Sequence, residues 1–296
     1  MTVPTLDAIA LPSGGLAMVA MDQRESLRTM FAEAGAGHVG DTRLVSFKLA
    51  VARALTPLAS GFLIDRHYGF DELRAAGLPA PAGLILAADA LAQAPGAPVE
   101  ETALDDAVLA PDFDLSGVRA LKLLIIWRRD ERRSARVELA RRFIEAAAQR
   151  ELLSVLEPVV RATPRELADG TWDADAASCE AARELAPLGP SLYKAQVPRA
   201  AVGEEAELRS ACTTLGAAIC VPWVVLSQGV AQENFYAAVQ AACAGGASGF
   251  LAGRALWRDV VGAGDVPRAL AEAAVPRLAR LVDLVERTAT PWRAAA

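Results

Sequence analysis

The chain has 296 residues, 53% of them hydrophobic, enough to bury a large core in one domain or two. A formal net charge of -6 weighs against nucleic acid or an anionic membrane as partner. No apolar run reaches the roughly 18 to 20 residues of a membrane span, Met1-Thr2-Val3-Pro4 lacks the basic region and apolar core of a signal peptide, and Cys179, Cys212, Cys220 and Cys243 show neither CxxC nor zinc spacing. The expectation is a reduced cytoplasmic protein with no structural metal and no cofactor. In chain order, Leu16-Ala17-Met18-Val19-Ala20-Met21-Asp22 is a continuous apolar run closed by a carboxylate, the pattern of a strand buried on both faces. Gln23-Arg24-Glu25-Ser26 leads into a helix over 27–34, and a longer helical pattern over 41–58 carries Lys48. Runs over 60–65 and 83–89 also end in carboxylates, Asp65 and Asp89, which suit either a site or the cap of the next helix. Segment 93–114, rich in Pro, Ala and Asp, reads as irregular, either a loop covering a substrate or a surface excursion.

The fourth run, 120–127, carries Lys122. Behind it lies an arginine- and alanine-rich helix reaching 150, whose Arg128, Arg129, Arg132, Arg133 and Arg136 read as a solvated face. The fifth, 152–160, holds Glu157 with Pro158 directly after it. A helix over 173–186 leads to Ser191-Leu192-Tyr193-Lys194-Ala195-Gln196-Val197-Pro198, and a helix over 204–215 follows. The run 222–227, a helix over 232–244, the run 247–254 and a helix over 266–289 complete the chain. Strands alternating with helices predict parallel βαβ units. Eight of them over nearly the whole length favour an α/β fold of the (β/α)8 TIM-barrel type, as a single domain over 1–296, above an open doubly wound sheet. No GxGxxG follows the first strand, where a dinucleotide site would need it.

In such a barrel the active site lies at the C-terminal ends of the strands, and the polar exceptions in the apolar runs gather there: Asp22, Asp65, Asp89, Lys122, Glu157, Lys194, Ser227 and Arg254. A lysine inside a strand can bury its stem and pair its head with a carboxylate. It can also be a nucleophile, because apolar neighbours disfavour the ammonium form and make the amine available to a ketone. Two facts favour the second reading for Lys194. Of 30 basic residues only Lys48, Lys122 and Lys194 are lysines, so a position needing charge alone would carry Arg. Lys122 also interrupts a second apolar run, and two lysines in two core strands are hard to explain by packing. Glu157, flanked by apolar residues, needs a cation, and these lysines are the ones at hand. Ser227-Gln228-Gly229 and 249–254 bring backbone N–H groups, a hydroxyl and a guanidinium to the loops where barrels often hold phosphate.

The ordered set Met21-Asp22-Gln23-Arg24-Glu25, Ala120-Leu121-Lys122-Leu123-Leu124, Leu156-Glu157-Pro158-Val159-Val160, Leu192-Tyr193-Lys194, Ser227-Gln228-Gly229-Val230 and 247–257 resembles the class I, metal-independent aldolases related to tagatose-1,6-bisphosphate aldolase. Within them it most resembles the sulfofructosephosphate aldolases of sulfoquinovose breakdown. The resemblance spans almost the full chain. It implies a (β/α)8 fold and cleavage of 6-deoxy-6-sulfofructose 1-phosphate to dihydroxyacetone phosphate and sulfolactaldehyde. It also implies Lys194 as Schiff-base nucleophile, Lys122 and Asp22 in support, Glu157 as proton shuttle, and Ser227, Gly229, Gly253 and Arg254 at the C1 phosphate, with relatives assembling as dimers or tetramers.

Gln23 and Gln228 join the expected substrate-binding set. For the far anion, best held by a guanidinium and backbone donors, the candidates are Arg24 and Arg66, with His67 beside them as either a contact or a packing residue. Arg66, Gln196 and Gln228 depart from the sulfosugar pattern, so sulfonate and 6-phosphate substrates both stay open. Transfer of the three-carbon unit to another aldehyde, as in a transaldolase, and a non-catalytic sugar-phosphate sensor are the alternative readings. The expected partner is thus a small phosphorylated sugar or sulfosugar.

Overall fold

The computed structural model describes residues 4–93 and 97–295. Eight strands close a parallel barrel: β1 (Leu16–Met21), β2 (Gly61–Ile64), β3 (Gly83–Ala87), β6 (Val118–Trp127), β7 (Leu153–Val160), β8 (Leu192–Ala195), β9 (Trp223–Val225) and β10 (Gly249–Ala252). They run around the barrel in the order β1, β10, β9, β8, β7, β6, β3, β2, so no edge is left open. Each corresponds to one of the eight apolar runs. The runs are continuous rather than alternating because one face of each strand packs into the barrel and the other against the helices. Helices take the surrounding layer by their own spacing: in Arg133–Gln149 the buried positions are Arg136, Ala140, Phe143 and Ala147, one stripe of an amphipathic helix. The arginines at its start are taken up by carboxylates, with Arg133 on Glu180 and Glu184 and Arg136 on Asp130 and Glu101.

Period-two geometry determines what sits where inside the barrel. Ala20, Leu63, Ala87, Ala120, Val155, Leu192, Val224 and Leu251 belong to the apolar cluster within it. Two residues further along the same strands come Asp22, Asp65, Asp89, Lys122, Glu157, Lys194, Leu226 and Gly253. Six of these eight positions are ionisable, so a charged layer lies directly on an apolar floor at the C-terminal end.

One expectation needs correcting. Segment 93–114 is not irregular throughout, because β4 (Asp89–Ala92) pairs antiparallel with β5 (Glu101–Leu104) to form a hairpin over the barrel mouth. Main-chain bonds hold both ends of the ladder, Asp105 N–H to Ala88 O at 2.9 Å at the base and Glu100 N–H to Ala92 O at 2.9 Å at the loop end. Asp-Ala-Leu-Ala has weak β propensity, so pairing rather than composition makes the strand. Within the expected covering loop, residues 94–96 lie outside the described residues.

Gly249 shows how tightly β10 meets β1. Its φ is +136°, and a Cβ added there would lie 2.0 Å from Leu16 O. Gly249→Ala is expected to destabilise the barrel by about 3 kcal/mol, because strain and overpacking add at one strand pair. Urea unfolding checks this, and a shift below about 1 kcal/mol would show that β10 can move off β1 without harm.

Candidate active site

The charged layer is organised by Lys122. Its strand β6 pairs with β7 so that Lys122 faces Val155 and Leu124 faces Glu157. Its Nζ donates to Asp22 Oδ2 at 2.8 Å and to Asp89 Oδ2 at 3.1 Å, and lies 2.8 Å from Glu157 Oε2. The Glu157 contact is close in charge but off the hydrogen-bond axis. Burial works against the ammonium, yet the carboxylates of Asp22, Asp89 and Glu157 outweigh it and hold Lys122 charged well above the ordinary lysine range. Asp22 is the converse. Burial pushes its carboxyl up, but Lys122, Lys194 and Arg24 bring it well below the usual carboxylate range.

Glu157 links the two lysines, with Oε2 toward Lys122 and Oε1 3.0 Å from Lys194 Nζ. The Lys194 side chain is only 5% exposed, so its amine is reachable through the cavity alone. That cavity, about 350 Å³, is lined at its base by Asp22, Lys122, Glu157 and Lys194, and higher up by Gln23, Arg24, Ser227, Gln228, Gly253 and Arg254. Hairpin residues Leu91, Gln93, Ala97, Pro98 and Val99 close one side. Gly253 N–H donates to Ser227 Oγ at 3.4 Å, joining the two loops expected to hold phosphate. A Cβ on Gly253 would lie 2.6 Å from Ala20 O, so only glycine brings this main chain so near β1. Gly229 (φ +81°) lines an adjoining cavity with Ser227 and Arg254 rather than the main one. Arg254 has no ion-pair partner among the described residues, and burial pushes its guanidinium below the ordinary value while Glu157 opposes this.

The expected distal residues are not all brought here. Arg66 Nε is 2.6 Å from Asp105 Oδ2, and neither Arg66 nor His67 lines the cavity. The Asp105 carboxylate, reached across 39 residues of sequence, draws Arg66 to the hairpin base. Arg24 does line the cavity, but its guanidinium is occupied, donating to Asp89 O and Asp89 Oδ1, each at 2.9 Å. Asp89 also accepts from Leu124 N–H at 3.1 Å, so it belongs to the charged layer. Asp65 takes neither role expected of it, for it does not line the cavity and the next helix begins at Phe70 behind Gly69. It caps the following turn, accepting from His67 N–H at 2.9 Å and Tyr68 N–H at 3.0 Å, and it pairs with Lys48. Lys48 was assigned no role from the sequence; it is fully buried, and burial pulls its ammonium below the ordinary value against the pull of Asp65.

Arg161, also unassigned from the sequence, lines the cavity beyond β7. It shares the odd-numbered parity of Val155 and Glu157, which is the signal that locates it. Among the described residues no group of three or more His, Cys, Asp or Glu side chains is arranged to hold a metal ion; the layer's carboxylates face lysine and arginine instead. No helix of the described residues is long and apolar enough to cross a membrane.

Fold and layer together define a (β/α)8 barrel with a buried, carboxylate-paired lysine at its C-terminal mouth. The model of the DeoC/LacD family aldolases matches residues 16–259. The chain belongs to that family and is an aldolase, a lyase. Solved structures with the same fold include a fructose-bisphosphate aldolase from Plasmodium falciparum in complex with TRAP and an inhibitor, 14% identical over 96% of this chain and 93% of that one, TM-score 0.67. An archaeal fructose-1,6-bisphosphate aldolase with its catalytic lysine bound to the carbinolamine intermediate is 15% identical over 95% and 98%, TM-score 0.59. A second archaeal fructose 1,6-bisphosphate aldolase structure is 17% identical over 95% and 98%, TM-score 0.60. Identities this low speak to the fold alone.

Proposed function

We propose that the enzyme cleaves 6-deoxy-6-sulfofructose 1-phosphate to dihydroxyacetone phosphate and sulfolactaldehyde through a Schiff base on Lys194. The observation that carries the lysine chemistry is the placement of its Nζ, buried at the cavity base and 3.0 Å from Glu157 Oε1. In this reading the Lys194 amine adds to C2 of the ketose, and Glu157 supplies and removes the protons that turn the carbinolamine into an iminium and release water. The iminium accepts the electron pair as the C3–C4 bond breaks, and Glu157 takes the C4-hydroxyl proton so that the aldehyde leaves. Protonation of the resulting enamine at C3 and addition of water then free dihydroxyacetone phosphate and the lysine.

Lys122, fixed as a cation by Asp22 and Asp89, sets the charge against which Glu157 works. Ser227, Gly253 and Arg254 are suited to the C1 phosphate, with Gly229 on the neighbouring turn and Gln23 and Gln228 as polar contacts. Gln23 Oε1 is buried without a partner, which fits a hydroxyl donated by a sugar. A reducing compartment such as the cytoplasm suits the free cysteines Cys179, Cys212, Cys220 and Cys243.

A bisphosphorylated ketohexose such as tagatose 1,6-bisphosphate is the second reading, since Arg254 and Arg161 present guanidinium groups that suit phosphate as well as sulfonate. Side-by-side cleavage of sulfofructose 1-phosphate, tagatose 1,6-bisphosphate and fructose 1,6-bisphosphate separates these, and sulfofructose phosphate should give the largest kcat/KM. Borohydride reduction in the presence of dihydroxyacetone phosphate is expected to add the mass of the reduced three-carbon adduct at Lys194. A peptide map with that residue unmodified would remove the Schiff-base reading.

A further inference from the structure

The cavity arginines are of two kinds. Arg24 is neutralised by Asp89. Arg161 and Arg254 have no ion pair among the described residues, although both line the cavity. Arg161 makes one main-chain bond, its N–H to Trp127 O at 2.9 Å, while its side-chain Nε is buried without a hydrogen-bond partner. Burial and the nearby Arg128 push its guanidinium below the ordinary value, with Glu100 opposing. Glu100 is itself paired, 2.6 Å from Arg128 Nη2. A partly buried cation with no counter-charge is less well solvated than one in open water, and an anionic ligand in the same cavity offsets that cost.

Strand order gives the direction. β10, β9, β8 and β7 are consecutive around the barrel. Arg254 stands just beyond β10, Lys194 lies in β8, and Arg161 stands just beyond β7. The two unneutralised guanidinium groups therefore flank the reacting lysine on opposite sides. An extended ketose with its carbonyl at Lys194 and its C1 phosphate at Arg254 runs its remaining carbons toward Arg161.

We infer that Arg161 is the specificity-determining cation of a second oxyanion subsite, which takes the sulfonate or phosphate on C6 while Arg254 takes the phosphate on C1. The subsite rests on the reading of Lys194 as the Schiff-base lysine. A guanidinium offers two parallel N–H donors to either tetrahedral anion, and such a charge-assisted contact is worth roughly 10- to 100-fold in transition-state binding.

The test compares the parent enzyme with Arg161→Met and Arg161→Lys on substrates that differ at C6: sulfofructose 1-phosphate, fructose 1,6-bisphosphate, tagatose 1,6-bisphosphate and fructose 1-phosphate, whose C6 hydroxyl is uncharged. The readout is the ratio of kcat/KM for each C6-charged substrate to that for fructose 1-phosphate. In Arg161→Met this ratio should fall roughly 10- to 100-fold, with Arg161→Lys in between because it keeps charge without the fork. The C6 anion whose ratio falls further is the one the subsite was shaped for. A ratio unchanged in Arg161→Met overturns the inference. Borohydride labelling with dihydroxyacetone phosphate, which has no C6, is run in parallel. Labelling lost only in the variant would mean that Arg161 supports the barrel rather than the distal anion, and this also overturns the inference. Absence of labelling in the parent would instead strike the Lys194 reading, on which the subsite depends.

Discussion

Lys194→Arg is expected to lower retro-aldol kcat by on the order of 10⁴-fold or more, the scale on which removal of a covalent nucleophile acts. Arginine is the informative replacement because it keeps a cation facing Glu157, which lies 3.0 Å from the native amine. A guanidinium stays protonated and offers no lone pair to a carbonyl. If residue 194 served only as counter-charge to Glu157, arginine would be tolerated. Lys194→Met completes the comparison by removing both charge and nucleophile, leaving Glu157 with Lys122 alone at 2.8 Å. The measurements are steady-state cleavage and intact mass after borohydride treatment with dihydroxyacetone phosphate. An arginine variant within tenfold of the parent would contradict a covalent role for this position. The prediction concerns chemistry rather than fold, so urea midpoints should separate the two variants, with Lys194→Met the less stable because it strands more buried charge.

What could be read in the sequence, and what could not, follows from how each residue is recruited. The eight strands were legible because double burial writes an apolar run that no neighbouring helix repeats. Asp22, Lys122, Glu157 and Lys194 were legible for the same reason, since each breaks such a run and the structure brings all four to one cavity. Arg24 lines the cavity as expected but already paired, and Arg66 falls outside it, because a guanidinium goes to whichever carboxylate the fold presents. Those partners, Asp89 and Asp105, stand 65 and 39 residues away in sequence. Lys48 was invisible as part of an ionic pair, for its helix Asp41–Leu55 is amphipathic and a lone lysine there looks solvated until Asp65 is seen against it. Arg161 lies past the last apolar residue of its run, and in a chain with 30 basic residues, nearly all arginine, its residue type does not set it apart. Counting by twos from Glu157 would have found it. The hairpin of β4 and β5 was hidden because four-residue strands held by main-chain pairing leave almost no side-chain pattern.

Lys122→Met is expected to destabilise the protein by about 3 to 5 kcal/mol at pH 7, as removal of one partner from a buried ionic group does. Three carboxylates, Asp22, Asp89 and Glu157, would lose the cation they share, and methionine fills the volume without replacing the charge. The pH dependence identifies the cause. In the parent, Asp22 is depressed, so its contribution is present above the unfolded carboxylate value of about 4 and is lost only as pH falls through the lower folded value. Lys122 is raised, so its contribution is present below the unfolded lysine value of about 10.4 and is lost only as pH rises through the higher folded one. Between those limits the parent's network contributes a constant amount. In the variant, burial and mutual repulsion make one of the three carboxylates take up a proton well above its unfolded value. The folded variant then binds more protons than its unfolded chain, so its stability rises as pH falls from 8 toward 4 and the gap to the parent narrows. Urea unfolding of both proteins across that range measures the gap. A constant gap would mean that lost packing, not orphaned charge, accounts for the effect. Cleavage should fall with it, because Glu157 without Lys122 has only Lys194 to balance it at the moment it must carry the C4-hydroxyl proton.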